Sequence, residues 1–177
     1  MLHISISEEV ATACPDLHVL VLSCDVCNSE PDERLWQEIA DEEKVVRETV
    51  KLEQINKWLP IQATRQAYKR LGKDPNRYRP SSEALRRRIL RELPLYKVDT
   101  LVDLINLVSI RSGYSIGGFD ADKIAYVELV VATDARNTRR IVVLTDPTRA
   151  DKMSQITISL FDVPEKEARR IIAKTYK

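Results

Sequence analysis

RQAYKRLGKDPNRYRPSSEALRRRIL, residues 65–90, is the stretch from which the rest of the chain is read. Gly72 ends an amphipathic run that begins near Ile61, and Ser81 or Ser82 starts a second helix expected to reach Leu93. Charge is concentrated here. Residues 63–97 carry eleven Lys and Arg against three acids, Asp74, Glu83 and Glu92, a net of +8 in a 177-residue chain whose formal charge is +1. Compensating acid lies upstream, where residues 28–53 hold nine Asp and Glu against Arg34, Lys44, Arg47 and Lys51, a net of −5. A basic surface held apart from its acid attracts polyanions and is a usual footprint of nucleic-acid binding. The competing reading packs the acidic and basic segments side by side as two solvated helices that bridge each other. A sequence pI near 7.7 argues against a strong sequence-independent binder.

Outward from this stretch, the pattern mixes helix and strand. Residues 2–6 alternate, and Ser7 with Glu8 and Glu9 opens a short helix that Pro15 stops. Residues 17–24, rich in Val and Leu, read as a buried strand. From Pro31, apolar Leu35, Ile39, Val45, Val46, Val50 and Leu52 recur at roughly helical spacing, predicting a long amphipathic helix to about Leu52. In the helix after Ser82, Ala84, Leu85 and Ile89 are expected inside. Arg87, Arg88 and Arg91 share one side, with Arg86 off it. A helix from about Thr100 to Arg111 shows Leu101, Leu104, Ile105 and Val108 at core spacing, closed by Gly113. Strands are expected over 126–132, 140–144 and 155–161, and a basic helix over 166–176. The fold class expected is α+β: a single domain over residues 1–177 with a mixed or antiparallel sheet flanked by helices.

Composition excludes several chemistries. Hydrophobic residues at 44% and charged residues at 31% are those of a globular chain. No run approaches the ~18 apolar residues of a bilayer span. The first ten residues show neither a basic n-region nor an apolar h-region, so a cytoplasmic location and no membrane partner are expected. Cys24 and Cys27 make a C-x-x-C, but a zinc site needs two more ligands from Cys14, His3 and His18; incidental thiols are the favoured reading and no metal is expected. Only four glycines occur, Gly72, Gly113, Gly117 and Gly118, and they can write neither a P-loop nor a G-x-G-x-x-G. No cofactor is expected.

The run SSEALRRRILRELPLYKVDTLVDLINLVSIRSGYSIGGFDADKI, residues 81–124, resembles the tRNA-proofreading (editing) domain of the bacterial phenylalanyl-tRNA synthetase beta subunit. In that family a capped helix with paired arginines precedes a V-D-x-x-N helix, then a glycine, a short turn and an F-D-x-D-K strand. Asp103, Asn106, Gly113, Phe119, Asp120, Asp122 and Lys123 fall on those positions in order. The preceding AYKRLGKDPNRYRP, residues 67–80, is more similar still to free-standing relatives of the domain. TDARNT, residues 133–138, is similar to a motif before their last strands, and QITISLFDVPEKEARRI fits their closing strand and helix. Between Ile124 and Ala132 the chain is shorter than those relatives by some tens of residues.

The resemblance implies an RNA-binding domain, with tRNA as the expected partner, and raises hydrolysis of misacylated aminoacyl-tRNA in trans; full synthetase activity is not expected. The alternative is a non-catalytic pocket that binds a small amino acid or metabolite. The implied substrate pocket comprises Asn106, Gly117, Gly118, Asp120, Thr133 and Asp134, with Thr138 nearby. Asp120 and Asp122 have the ordinary reading of fixing a turn, and Asn106 of capping or cross-linking helices. Where the synthetase domain carries a histidine two residues before the Phe, this chain has Gly117, so no catalytic residue is assigned. The phosphate contacts expected are Lys73, Arg77, Arg79, Arg86, Arg87 and Arg88. Tyr68 and Tyr78 are candidates to stack bases, with Tyr78 alternatively wedged against Pro80.

Overall fold

The structure, a computed structural model, describes residues 3–22, 25–118, 126–133 and 139–144, with residues 3, 4, 126–133 and 139–144 described as backbone. Strand β1 (His3–Ile6) leads through an N-cap at Ser7 into helix α1 (Glu8–Ala13), as the sequence pattern anticipates. Helix α2 (Glu33–Thr49) starts where the Asp32 carboxylate accepts a hydrogen bond from Leu35 N at 2.9 Å. Its buried side chains, Ile39 and Val46, lie seven residues apart and so on one face. A 3-10 turn (Leu52–Lys57) carries buried Ile55 into α3 (Leu59–Arg70), where Pro60 occupies the first turn and sacrifices no helical hydrogen bond. Gly72, at φ +74°, turns the chain out of α3.

Helix α4 (Ser81–Leu90) departs from the expected pattern in three ways. Its N-cap is Pro80 rather than a serine, because the Ser82 hydroxyl is turned inward onto Ser115 Oγ at 3.3 Å. It stops at Leu90 rather than Leu93, because Pro94 disfavours helical backbone at the residue before it and Glu92 takes a left-handed φ of +56°. Its buried residues are Ser82, Glu83, Arg86 and Ile89, while Ala84, expected inside, is exposed. Helix α5 (Thr100–Ser112) begins with the Asp99 carboxylate accepting from Val102 N at 2.8 Å and ends at Gly113, φ +82°. Its fully covered side is Asp103, Leu107, Ser109 and Ile110, whereas Leu101, Leu104, Ile105 and Val108 are half-buried.

The central core is where α2, α4 and α5 meet. Val46, Ile89 and Ile110 are buried against one another, with Val50, Leu85, Leu90 and Leu95 packed around them. Burying each such side chain is worth about 1.5–3 kcal/mol, so the helices bind one another rather than a sheet face. This corrects the expected α+β architecture of a sheet flanked by helices: over the described residues up to 118 the chain is 57% helix and 3% strand, the strand being the four-residue β1. Beyond it, β2 (Tyr126–Thr133) runs parallel to β1 and lies against α1, and β3 (Arg139–Leu144) pairs antiparallel with β2. A second correction concerns residues 17–24. Residues 19–22 form no strand, and Leu20, Val21 and Leu22 are exposed, so a Val/Leu-rich run was mistaken for a buried one. The expected strand at 155–161 and helix at 166–176 lie outside the described residues. Among the described residues no helix is long and apolar enough to cross a membrane.

Candidate nucleic-acid interface

The basic segment is organised around one carboxylate. Glu83, completely buried, receives Arg65 Nη1 at 2.9 Å on Oε2 and 3.2 Å on Oε1, and Arg87 Nε at 2.8 Å on Oε1. Arg79 Nε stands at 3.9 Å from the same Oε1. Arg65 is further held by the Pro75 carbonyl and Asn76 Oδ1, at 2.9 and 2.6 Å, which fastens the loop after α3 to α4. One interior anion thus fixes two guanidiniums by hydrogen bonds and draws a third close, and the cluster keeps an excess of positive charge.

The remaining cations of the expected phosphate set lie on aromatic rings. Lys73 Nζ is 4.3 Å from the Tyr68 ring centroid and 5.2 Å from that of Tyr78, and Arg77 is 5.4 Å from Tyr78. Arg88 donates from Nε and Nη2 to the Pro94 carbonyl at 3.0 and 2.8 Å, and its guanidinium lies 4.4 Å over Tyr96. Tyr96 is 69% exposed, so its ring offers a stacking surface that the sequence reading missed. The signal was an aromatic two residues after the proline that ends the arginine helix. Tyr68 is the converse: it is fully buried and cannot stack a base. Tyr78 is half-buried beneath its two cations.

Arg86 leaves the phosphate set altogether. Its side chain is buried, its Nε and Nη2 donate to the Ile110 carbonyl at 2.9 and 2.5 Å, and its guanidinium covers the Trp58 ring at 3.7 Å. It serves the C-terminal end of α5, where unsatisfied carbonyls and the helix dipole favour a cation. Burial pulls its pKa down to about 10, with Glu42 acting in the opposite direction, so it stays charged at neutral pH.

The two segregated charge regions do not cancel through their ion pairs. On α2, Glu38 and Glu42 take Arg111 at 3.3 and 3.1 Å, and Glu43 takes Arg47 at 2.7 Å. Neither arginine belongs to residues 63–97. The arginine ion pairs of the basic segment converge on Glu83 instead. The reading in which acidic and basic helices bridge each other through their opposite charges is therefore replaced by a narrower fact: α5, through Arg111, pairs with the acidic helix, and that helix reaches the basic one by Arg47 Nε donating to the Ile89 carbonyl at 3.3 Å.

The expected pocket residues are only partly brought together. Asp103 is buried and structural, accepting from Trp36 Nε1 at 2.6 Å and from Val98 N at 3.2 Å. Asn106, one turn later, is half-buried, and among the described residues its amide makes no hydrogen bond. Gly117 is half-buried and Gly118 exposed; a Cβ on Gly118 would stand 2.9 Å from Ile105 Cδ1, the movable end of a side chain that can give way, so packing on α5 does not by itself require glycine there. The glycine loop is tied to the arginine helix, because Ser82 N donates to Ser115 Oγ at 3.3 Å. Thr133 ends β2 opposite Arg139, and its side chain, like Asp120, Asp134 and Thr138, lies outside what is described. Cys14 is buried and Cys27 exposed, both as free thiols, and among the described residues no group of three or more His, Cys, Asp or Glu is placed to hold a metal.

No curated protein and no solved structure was found to match the chain. The family model of the B3/4 domain matches residues 63–162, more than half of the sequence and including the whole arginine cluster, α5 and the glycine loop. The chain therefore belongs to the B3/4 domain family, the domain found in the phenylalanyl-tRNA synthetase beta subunit and its relatives.

Proposed function

We propose that the chain, as a single domain, binds RNA, with tRNA as its partner, through the basic surface of residues 73–91. The observation that carries this is the charge arrangement: the acidic helix takes Arg111 and Arg47 as its ion-pair partners, which leaves the excess cations of the basic segment to an external anion. Membership of the B3/4 family is compatible with such a tRNA-related role. Arg77, Arg79 and Arg88 serve as phosphate contacts and Tyr96 as a stacking ring, while Arg86 serves the fold. The test is a titration of tRNA into the wild type, Arg77→Glu, Arg88→Glu and, on the acidic helix, Lys44→Glu. Affinity lost in the first two variants and retained in the third supports this surface. Equal behaviour of all three variants refutes it.

A second reading, hydrolysis of misacylated tRNA in trans, is favoured by one observation: of the two polar residues in V-D-x-x-N, Asp103 is consumed by Trp36 and Val98, whereas the Asn106 amide is not engaged among the described residues. An amide at that point can orient a bound ester or a water. Incubation with tyrosyl-, phenylalanyl- or alanyl-tRNA, followed by counting of surviving ester, tests it. Ester loss above the buffer rate that drops in Asn106→Ala supports the reading, and loss at the buffer rate ends it.

A further inference from the structure

We propose that Arg79 and Arg87 form a clamp for one phosphate group of the RNA backbone, with Glu83 and Arg65 as its internal brace; this rests on the RNA-binding reading above and names the geometry of one contact within it. Glu83 and Arg87 stand one turn apart on α4, and Arg79 lies just before its Pro80 cap, where the incoming chain passes the same carboxylate. Glu83 gives Oε1 to both arginines, Arg87 Nε at 2.8 Å and Arg79 Nε at 3.9 Å, which brings the two guanidiniums beside the same oxygen.

The three arginines on Glu83 are not equivalent. Arg65 has spent its terminal nitrogens on Glu83, the Pro75 carbonyl and Asn76, and its side chain is 13% exposed. It braces the carboxylate and has little to offer a ligand. Arg87 and Arg79 are engaged through Nε alone, and among the described residues their Nη groups donate to nothing. Their side chains are 17% and 42% exposed, so the arrangement grades from an anchored guanidinium to an open one.

Three cations on one anion leave the cluster with surplus positive charge. An external anion lying across the free Nη edges would relieve the repulsion between the two guanidiniums, and a buried carboxylate holds one of them in register beforehand. Guanidinium forks match the oxygens of a phosphate, with two parallel N–H donors per arginine. A lysine in either place would supply charge without the fork. Glu83 acts as a positioning residue, through the arginines.

The test measures the affinity of the full chain for a tRNA transcript at several salt concentrations, for wild type, Arg79→Ala, Arg87→Ala and the double variant. Counterion release makes the slope of log affinity against log salt a count of phosphates engaged, roughly 0.7–0.9 for each. If both arginines hold a single phosphate, the double variant loses the slope of about one phosphate. A loss corresponding to two, or no loss, overturns the clamp while leaving RNA binding in place. Circular dichroism checks folding, and if Arg87→Ala fails to fold, Arg87→Gln, which keeps a hydrogen-bond donor for Glu83 without the charge, replaces it in the double variant and must show the same single-phosphate loss. If wild type does not bind tRNA, the RNA reading fails and inorganic phosphate becomes the probe. A phosphate-dependent rise in Tm that the double variant lacks would then sustain the clamp, and no rise in wild type would overturn it.

Discussion

The guanidinium of Arg86 lies 3.7 Å above the ring of Trp58, inside the protein rather than on the surface its neighbours in sequence share. From there it donates twice to the Ile110 carbonyl at the end of α5. Hydrogen bonds from a charged donor and a desolvated cation–π contact each contribute roughly 2 kcal/mol. Arg86→Ala is expected to lower stability by about 3 kcal/mol in urea titration, with tRNA affinity of the folded fraction unchanged. Arg86→Lys should not restore it, because an ammonium cannot reproduce the planar fork over the ring.

Trp58 also decides what can occupy position 113. Gly113 closes α5 at φ +82°, and a Cβ there would stand 2.5 Å from Trp58 Cζ3. Gly113→Ala therefore meets two penalties, left-handed backbone at about 1–2 kcal/mol and a ring that must move. The double variant with Trp58→Ala should lose less stability than the sum of the single variants, since removing the ring removes the collision. Additive losses in a denaturation cycle would show that the backbone penalty acts alone.

Glu83 is a stability residue before it is anything else. Glu83→Ala leaves Arg65 and Arg87 facing each other without their anion in a poorly solvated place. Breaking a buried pair in this way costs about 3–5 kcal/mol. Thermal and urea unfolding should both report the loss, and a variant within about 0.5 kcal/mol of wild type, the usual range for an inert surface change, would contradict the hub.

The thiols separate by environment. Burial raises the Cys14 pKa above its ordinary value, with Arg70 partly offsetting the rise, while Cys27 is exposed. Alkylation followed by peptide mapping should label Cys27 before Cys14. The linkage sign follows from the same shift: Cys14 keeps its proton in the folded chain to higher pH than in the unfolded chain. Its contribution to stability is present below the unfolded pKa and is lost as pH rises through the folded one.

Helix ends were legible wherever a local residue governs the backbone: Gly72 and Gly113 for left-handed turns, and Ser7 for the start of α1. Pro94 carries the same kind of information about α4, which ends at Leu90 and not at the expected Leu93. What could not be read was the choice among four arginines. Helical periodicity separates Arg86 from Arg87 and Arg88, yet only Trp58 and the Ile110 carbonyl, which reach Arg86 through the fold, make the interior tolerable for it. Glu83 was counted as one of three acids, and nothing local marks it as the meeting point of Arg65, Arg79 and Arg87. The α+β expectation failed for a related reason. Apolar strand-like runs such as residues 17–24 show what a segment prefers, not whether it is covered.

If Arg77, Arg79, Arg87 and Arg88 are held for a polyanion, the affinity for tRNA depends steeply on salt. Between roughly 50 and 200 mM salt, a surface engaging several phosphates should lose affinity along a straight line of log affinity against log salt, with a slope proportional to the phosphates held. A steep negative slope that flattens in Arg79→Ala and Arg88→Ala is the result expected. A flat line, or no binding at the lowest salt, would show that these cations hold no polyanion.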